Sequence, residues 1–181
     1  MNFLVVIVSY LLGSINFAYI TARIKGIDIS SEGSGNPGTS NVLRTLGKGS
    51  AAIVLLGDLL KGAIPIIFFY QDQYFLVYGL AAVVGHIYPV FYKFKGGKGV
   101  ATYLGVYVAT VFMNPYNYDL FNIDIFQILN IPALAFFYFV VFKTTRVSAI
   151  ASLATVLVTV SLLIYTNNEI SNVVVLVVLF V

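Results

Sequence analysis

Two short stretches hold most of the residues equipped for chemistry. The first runs Glu32-Gly33-Ser34-Gly35-Asn36-Pro37-Gly38-Thr39-Ser40-Asn41-Val42-Leu43-Arg44. Glycines let backbone N–H groups converge on an oxyanion, and Thr39, Ser40 or Asn41 can cap the helix that follows. The N-terminus of that helix adds partial positive charge and free donors, which suits phosphate. Arg44 falls about one turn into it, within reach of the same pocket, and can offer a phosphate two donors. A capped linker is the plainer alternative, but the glycines together with Pro37 and Arg44 favour an anion site.

The second stretch is Phe94-Lys95-Gly96-Gly97-Lys98-Gly99-Val100-Ala101-Thr102, which also enters a helix. It has the look of a phosphate-binding loop, yet the Gly-x4-Gly-Lys-Ser/Thr spacing and the preceding strand are absent. Lys98 is the expected cation of a second phosphate contact. A tight turn whose lysines only enforce topology is the competing reading. Its glycines can also serve close helix packing, as Ala101, Gly105 and Ala109 do at four-residue spacing.

Three ionisable residues stand inside apolar runs, where charge is costly and tends to pair within a bundle. Asp58 and Lys61 share a helical face, as an ion pair or as groups that orient a substrate or the surroundings of Arg44. His86 sits just before the glycine-lysine loop, and is either a hydrogen-bonded packing residue or an acceptor for a hydroxyl proton. Pro65 is expected to kink its helix, and Asn16 to act as glue within the first span.

These residues must be positioned by a membrane bundle. The chain is 60% hydrophobic and 9% charged, against about 25% charged in a soluble domain. One unit, 1–181, is expected. The absence of cysteine and the single histidine exclude disulfides, thiolate chemistry and a histidine zinc cluster, and no metal or cofactor is called for. The net charge of +3 gives no support to nucleic-acid binding.

Apolar runs lie at 1–20, 51–70, 74–92, 98–113, 125–142, 147–165 and from 170 onward. The architecture expected is therefore all-α and polytopic, with seven transmembrane helices. The 98–113 run is short enough to be tilted or recessed. Every one of the 10 basic residues except Lys61 falls on the first, third or fifth connection. The other connections carry only acids, Asp72, Asp119, Asp124 and Glu169. This alternation puts the N-terminus outside and the glycine loops at the cytoplasmic face. Asn114 to Tyr118 read as an outer loop without chemistry. The last run, Ile170 to Val181, makes only about 18 Å of helix against a core of about 30 Å, so a truncated final span is expected.

At these loops the sequence resembles the bacterial acyl-phosphate:glycerol-3-phosphate acyltransferase family (PlsY). GSGNPGTSNVLRTLGK at 33–48, DLLKGAIP at 58–65 and GHIYPVFYKFKGGKGVAT at 85–102 carry the match. The resemblance implies a seven-helix enzyme of the bacterial plasma (inner) membrane, with its active site opening to the cytoplasm. It would move an acyl chain from acyl-phosphate to the sn-1 hydroxyl of glycerol 3-phosphate, giving lysophosphatidic acid and phosphate for phospholipid synthesis. A monomer in the lipid bilayer, functionally linked to the enzyme that forms acyl-phosphate, is expected. The family's functional serine and arginine fall on Ser34 and Arg44, and its glycine-lysine loop on Gly96, Gly97, Lys98 and Gly99. Asn36, Asn41, Asp58, Lys61 and His86 also occupy motif positions.

The expected catalytic set is thus Ser34, Arg44, His86 and Lys98. The substrate-binding set is Gly33, Gly35, Asn36, Asn41, Asp58, Lys61, Gly96, Gly97 and Gly99. Two departures stand out: Gly38-Thr39-Ser40-Asn41 replaces the family's Gly-Ala-Thr-Asn, and the family continues into a basic tail bearing a functional histidine and asparagine. A transporter for an anionic solute is the main rival, but it needs a wet path to both faces, and the outer connections lack cations. A scaffold without chemistry leaves both glycine loops unexplained.

Overall fold

The computed structural model describes residues 1–113, 125–147, 150–151 and 154–159. Among these the fold is helical, with no strand. The first apolar run forms two helices, α1 (Phe3–Gly13) and α2 (Phe17–Ile24), rather than the continuous span expected. Asn16 is the cause. Its Oδ1 accepts the N–H groups of Ala18 (3.0 Å) and Tyr19 (3.1 Å), so it caps α2 instead of bridging helices. A short polar side chain that bonds its own backbone competes with the helical ladder and makes a good N-cap, worth about 1 kcal/mol. A break inside an apolar bundle survives only where its freed polar groups find partners. Here Lys61 Nζ donates to the carbonyl of Ile15 at 2.8 Å.

Helix α3 (Thr39–Phe69) starts from Gly38, which supplies no side-chain cap. The capping expected of Thr39, Ser40 or Asn41 is not what starts this helix, because Asn41 spends its side chain on the preceding loop. Helical geometry lapses at Gly47 (φ 81°, ψ 179°), so a short segment precedes the long one. The lapse lies at Gly47 and not at Pro65, which sits inside the helix.

Helix α4 (Phe75–Ile87) returns and ends in a 3-10 turn at Val90–Tyr92. Between α3 and α4, Asp72 accepts the N–H of Tyr74 (2.8 Å) and the hydroxyl of Tyr78 (2.7 Å). These two bonds hold its carboxyl below the ordinary 3.8. The Tyr78 hydroxyl in turn accepts the Asn2 N–H at 3.0 Å, tying the N-terminus to that end.

Helix α5 (Val100–Met113) has 14 described residues, about 21 Å of rise; whether the run is as short as expected depends on residues outside the described ones. Helix α6 (Ile125–Thr145) follows, with Lys143 in its last turn. The expected seventh run, most of the sixth, and the outer loop at Asn114 to Tyr118 lie outside the described residues.

Small residues bring the helices together. A Cβ on Gly13 would strike the Ala82 backbone, and one on Gly85 the Tyr10 carbonyl, so α1 and α4 touch backbone to backbone. Gly62 meets the Thr102 carbonyl and Gly105 that of Leu59, closing α3 on α5 in the way small residues serve membrane bundles. One core gathers Ile66, Leu80, Val83, Tyr103 and Val106; a second gathers Ala18, Ala22, Ile29, Val42 and Val54 beneath α2. Large apolar side chains also face outward, Phe68 at 73% and Phe136 at 69% exposure. So broad an apolar exterior marks lipid contact. Phe3–Ile24, Thr39–Phe69 and Phe75–Tyr92 are long and apolar enough to cross a membrane.

Candidate active site

Alternate helix directions bring the two glycine loops to one end of the bundle, opposite the Asp72 turn. Asn41 shapes the first. Its Oδ1 accepts the Ser34 N–H at 2.9 Å, and its Nδ2 donates to the carbonyl of Glu32 at 2.9 Å and that of Ile29 at 3.4 Å. One buried amide thereby folds residues 29–34 over the start of α3. Gly33 must be glycine at this turn: its φ is +57°, and a Cβ would collide with the Asn41 carboxamide. Ser34 is left exposed.

The second loop is pinned to the end of α4. Gly96 N–H donates to Ile87 O (3.1 Å) and Gly97 N–H to His86 O (3.2 Å). A Cβ on Gly96 would meet the His86 carbonyl, and one on Gly97 the His86 ring at Nε2. Gly99 closes the loop, its carbonyl accepting the Tyr103 N–H at 2.8 Å as α5 begins.

An open cleft of about 780 Å³ separates the loops. Ser34, Gly35, Asn36 and Pro37 line one side. Phe91, Tyr92, Lys93, Lys95 and Gly96 line the other, with Tyr19 and Ser30 at the rim. Tyr19 and Tyr92 stack at 4.7 Å, joining α2 to the second loop. Lys93 and Phe94 both have positive φ, 53° and 59°, a conformation costing an L-residue roughly 1–2 kcal/mol. Lys93 and Lys95 belong to this lining, although the sequence credits them only with topology; no spacing signal distinguishes them from membrane-flanking lysines.

Beneath the cleft lies a buried charge network. Asp58 Oδ1 stands 3.0 Å from Lys61 Nζ and 3.4 Å from His86 Nδ1, and all three residues are at most 3% exposed. With Lys61 bonded to Ile15 O, the network joins α3, the α1–α2 break and the end of α4. Asn16 extends it, its Nδ2 donating to Pro37 O of the first loop at 3.5 Å. Sequence reasoning expected of Asn16 only helix glue and missed its cap and its link to the first loop; a Ser-x-Asn step ahead of an apolar run was the available sign of a cap.

Of the expected site residues, Ser34, Gly35, Asn36 and Gly96 meet in the cleft. Gly33 and Asn41 shape its first wall, while Gly97, His86, Asp58 and Lys61 support the second from below. Arg44 and Lys98 are exposed at the same end, outside this lining and without a hydrogen bond or ion pair to the described residues. Among the described residues, no cluster of His, Cys, Asp or Glu could hold a metal.

Apolar spans and a lipid-facing exterior define a helical integral membrane protein, with a basic cleft between two glycine loops. The sequence pattern of the glycerol-3-phosphate acyltransferase family matches residues 3–181. A glycerol-3-phosphate acyltransferase of Aquifex aeolicus is 52% identical over 109 residues, which are 58% of this chain and 57% of that one. Glycerol-3-phosphate acyltransferase 2 of Bacillus cereus is 43% identical over 174 residues, 93% of this chain and 79% of its own. The crystal structure of PlsY, an integral membrane glycerol 3-phosphate acyltransferase, in its glycerol 3-phosphate form, superposes with a TM-score of 0.74. It shares 35% identity across 98% of this chain and 85% of that one. Its lysophosphatidic acid form gives 0.73. This chain belongs to the glycerol-3-phosphate acyltransferase family.

Proposed function

We propose that this protein transfers a fatty acyl group from acyl-phosphate to the sn-1 hydroxyl of glycerol 3-phosphate, at the cytoplasmic face of the bacterial plasma membrane. The observation that carries this reading is one basic cleft with a glycine loop on each side, at the end of an apolar bundle. Both substrates bear phosphate and one bears a long chain, so anion cradles must lie beside lipid. Arg44 and Lys98, exposed at the cleft's end of the bundle and without a hydrogen bond or ion pair to the described residues, serve as the charge-assisted donors to phosphate. Acyl-phosphate is already activated. The protein needs mainly to hold the hydroxyl against the carbonyl carbon and stabilise the oxyanion with loop N–H groups.

In the transfer, the hydroxyl oxygen bonds to the carbonyl carbon and the bond from that carbon to the phosphate oxygen breaks. The departing phosphate takes the hydroxyl proton. Burial of His86 between Asp58 and Gly97 favours this route over His86 as the acceptor and makes the histidine a positioning residue. A covalent route through Ser34 is disfavoured, because His86 lines no part of the cleft that Ser34 faces.

Purified protein given acyl-phosphate, with and without glycerol 3-phosphate, tests the reading. Phosphate release should require glycerol 3-phosphate and yield lysophosphatidic acid, and Arg44→Ala should lower it at least ~10-fold, as loss of a charged hydrogen bond does. Release that ignores glycerol 3-phosphate, or an Arg44→Ala protein with undiminished transfer, would sink it.

A further inference from the structure

We infer that Asn16, at the break between α1 and α2, is a positioning residue that sets the separation of the two cleft walls and so tunes the hold on glycerol 3-phosphate. The inference rests on the acyltransfer reading for the reaction and on the break for its geometry.

The Asn16 carboxamide reaches both sides. Its Oδ1 takes the N–H groups of Ala18 and Tyr19 at 3.0 and 3.1 Å, which fixes the first turn of α2. From that turn Tyr19 stacks on Tyr92 at 4.7 Å with the rings 9° apart, so the cap governs a contact with the second wall. On the other side, Asn16 Nδ2 donates to Pro37 O of the first wall at 3.5 Å, and this bond is buried. The walls approach each other at that same carbonyl: a Cβ on Gly97 would lie 3.2 Å from Pro37 O.

Neighbouring residues of the break act to the same end. Ser14 Oγ accepts the Val90 N–H at 3.4 Å, and the Tyr10 hydroxyl donates to Tyr88 O at 2.8 Å. Both bonds hold the segment that leads from α4 to Tyr92. Lys61 Nζ secures the break itself through Ile15 O at 2.8 Å. The break thus touches each wall by a separate bond, with Asn16 between them at 1% exposure. So enclosed, the amide has no water to replace a lost partner. Asn16 does not line the cleft, and it acts through Pro37 and Tyr19, which do.

Glycerol 3-phosphate should feel the spacing more than the acyl donor does. The donor keeps a long chain in the apolar phase, and each methylene adds to its retention there. The small polar substrate has only its contacts across the cleft, so a displaced wall weakens it first.

Asn16→Ser separates the cap from the tie, because serine caps a helix about as well as asparagine but is too short to reach Pro37 O. In nanodiscs its unfolding temperature should stay near the parent's. KM for glycerol 3-phosphate, and the dissociation constant from calorimetric titration with it, should rise about five-fold, the factor of one ordinary hydrogen bond. KM for acyl-phosphate should stay within about two-fold. The stack is tested by Tyr19→Ala beside Tyr19→Phe. Alanine should raise KM for glycerol 3-phosphate about two- to ten-fold, and phenylalanine, which keeps the ring, should restore most of that loss.

A merely structural role would lower the active fraction and the unfolding temperature while leaving KM and the dissociation constant alone. That result for Asn16→Ser, or a rise confined to KM for acyl-phosphate, would overturn the inference. Should Asn16→Ser fail to fold, the Tyr19 pair decides, and equal constants in Tyr19→Ala and Tyr19→Phe would overturn it likewise. A parent protein that binds glycerol 3-phosphate but transfers no acyl group would count against the acyltransfer reading alone, and the dissociation constants would still judge Asn16.

Discussion

Lys61 places a charge where the bundle is otherwise apolar, and its surroundings explain how that is tolerated. The ammonium meets Asp58 on its own helix and the Ile15 carbonyl released by the α1–α2 break. Each of these polar groups would be costly alone; together they satisfy one another. Replacing Lys61 by Met would leave a buried carboxylate facing only His86 and an orphaned carbonyl. Loss of one partner from a buried ion pair costs about 3–5 kcal/mol, so Lys61→Met should unfold at clearly lower temperature in detergent. The paired change Asp58→Asn with Lys61→Met should cost less than the sum of the two single changes. Additive losses would mean that the two residues act separately. Pairing of Asp58 with Lys61 was legible from their spacing. The Ile15 carbonyl was not, because nothing in an apolar run announces which peptide will be left without a helical partner.

The elements owe their shapes to two kinds of glycine, and substitution separates them. At Gly47 the constraint is the backbone, since φ is 81° and nothing lies within 4 Å of an added Cβ. Gly47→Ala should cost about 1–3 kcal/mol, and Gly47→Asn about as much, because with ψ at 179° the residue lies outside the left-handed well that asparagine tolerates. At Gly62 the backbone is helical and the constraint is the Thr102 carbonyl on α5. Gly62→Val must push two helices apart, and overpacking of that kind costs about 1–3 kcal/mol or more. Thermal unfolding of the three purified variants measures this. A Gly47→Ala or Gly47→Asn protein that unfolds at the parent's temperature would contradict a dihedral cost.

At the scale of the whole molecule, the two glycine loops share one end with Arg23, Lys25, Lys93 and Lys95, while Asp72 and Asn2 are tied together at the other. By the positive-inside tendency, that polarity would turn the cleft end toward the cytoplasm, an orientation open to direct test. The chain has no cysteine, so single introduced thiols report topology cleanly. On intact cells a membrane-impermeant thiol reagent should label Gln73→Cys and spare Lys25→Cys until the membrane is opened. The opposite pattern would reverse the orientation.

Composition alone determined the solvent of this protein. A chain with so few charges can fold only where lipid covers its apolar surface, and that physics does not depend on how the helices meet. Local chemistry likewise marked both glycine loops and the Asp58–Lys61 pair, because their residue types are costly or pointless elsewhere in such a chain. Only the tertiary structure decided that Asn16 breaks the first span, that Asn41 ties down a loop instead of capping a helix, and that Lys93 and Lys95 face Ser34. Each of these depends on a partner distant in the chain. A polar side chain's choice between its own helix, a neighbouring loop and a cleft is settled by which backbone groups packing leaves unsatisfied.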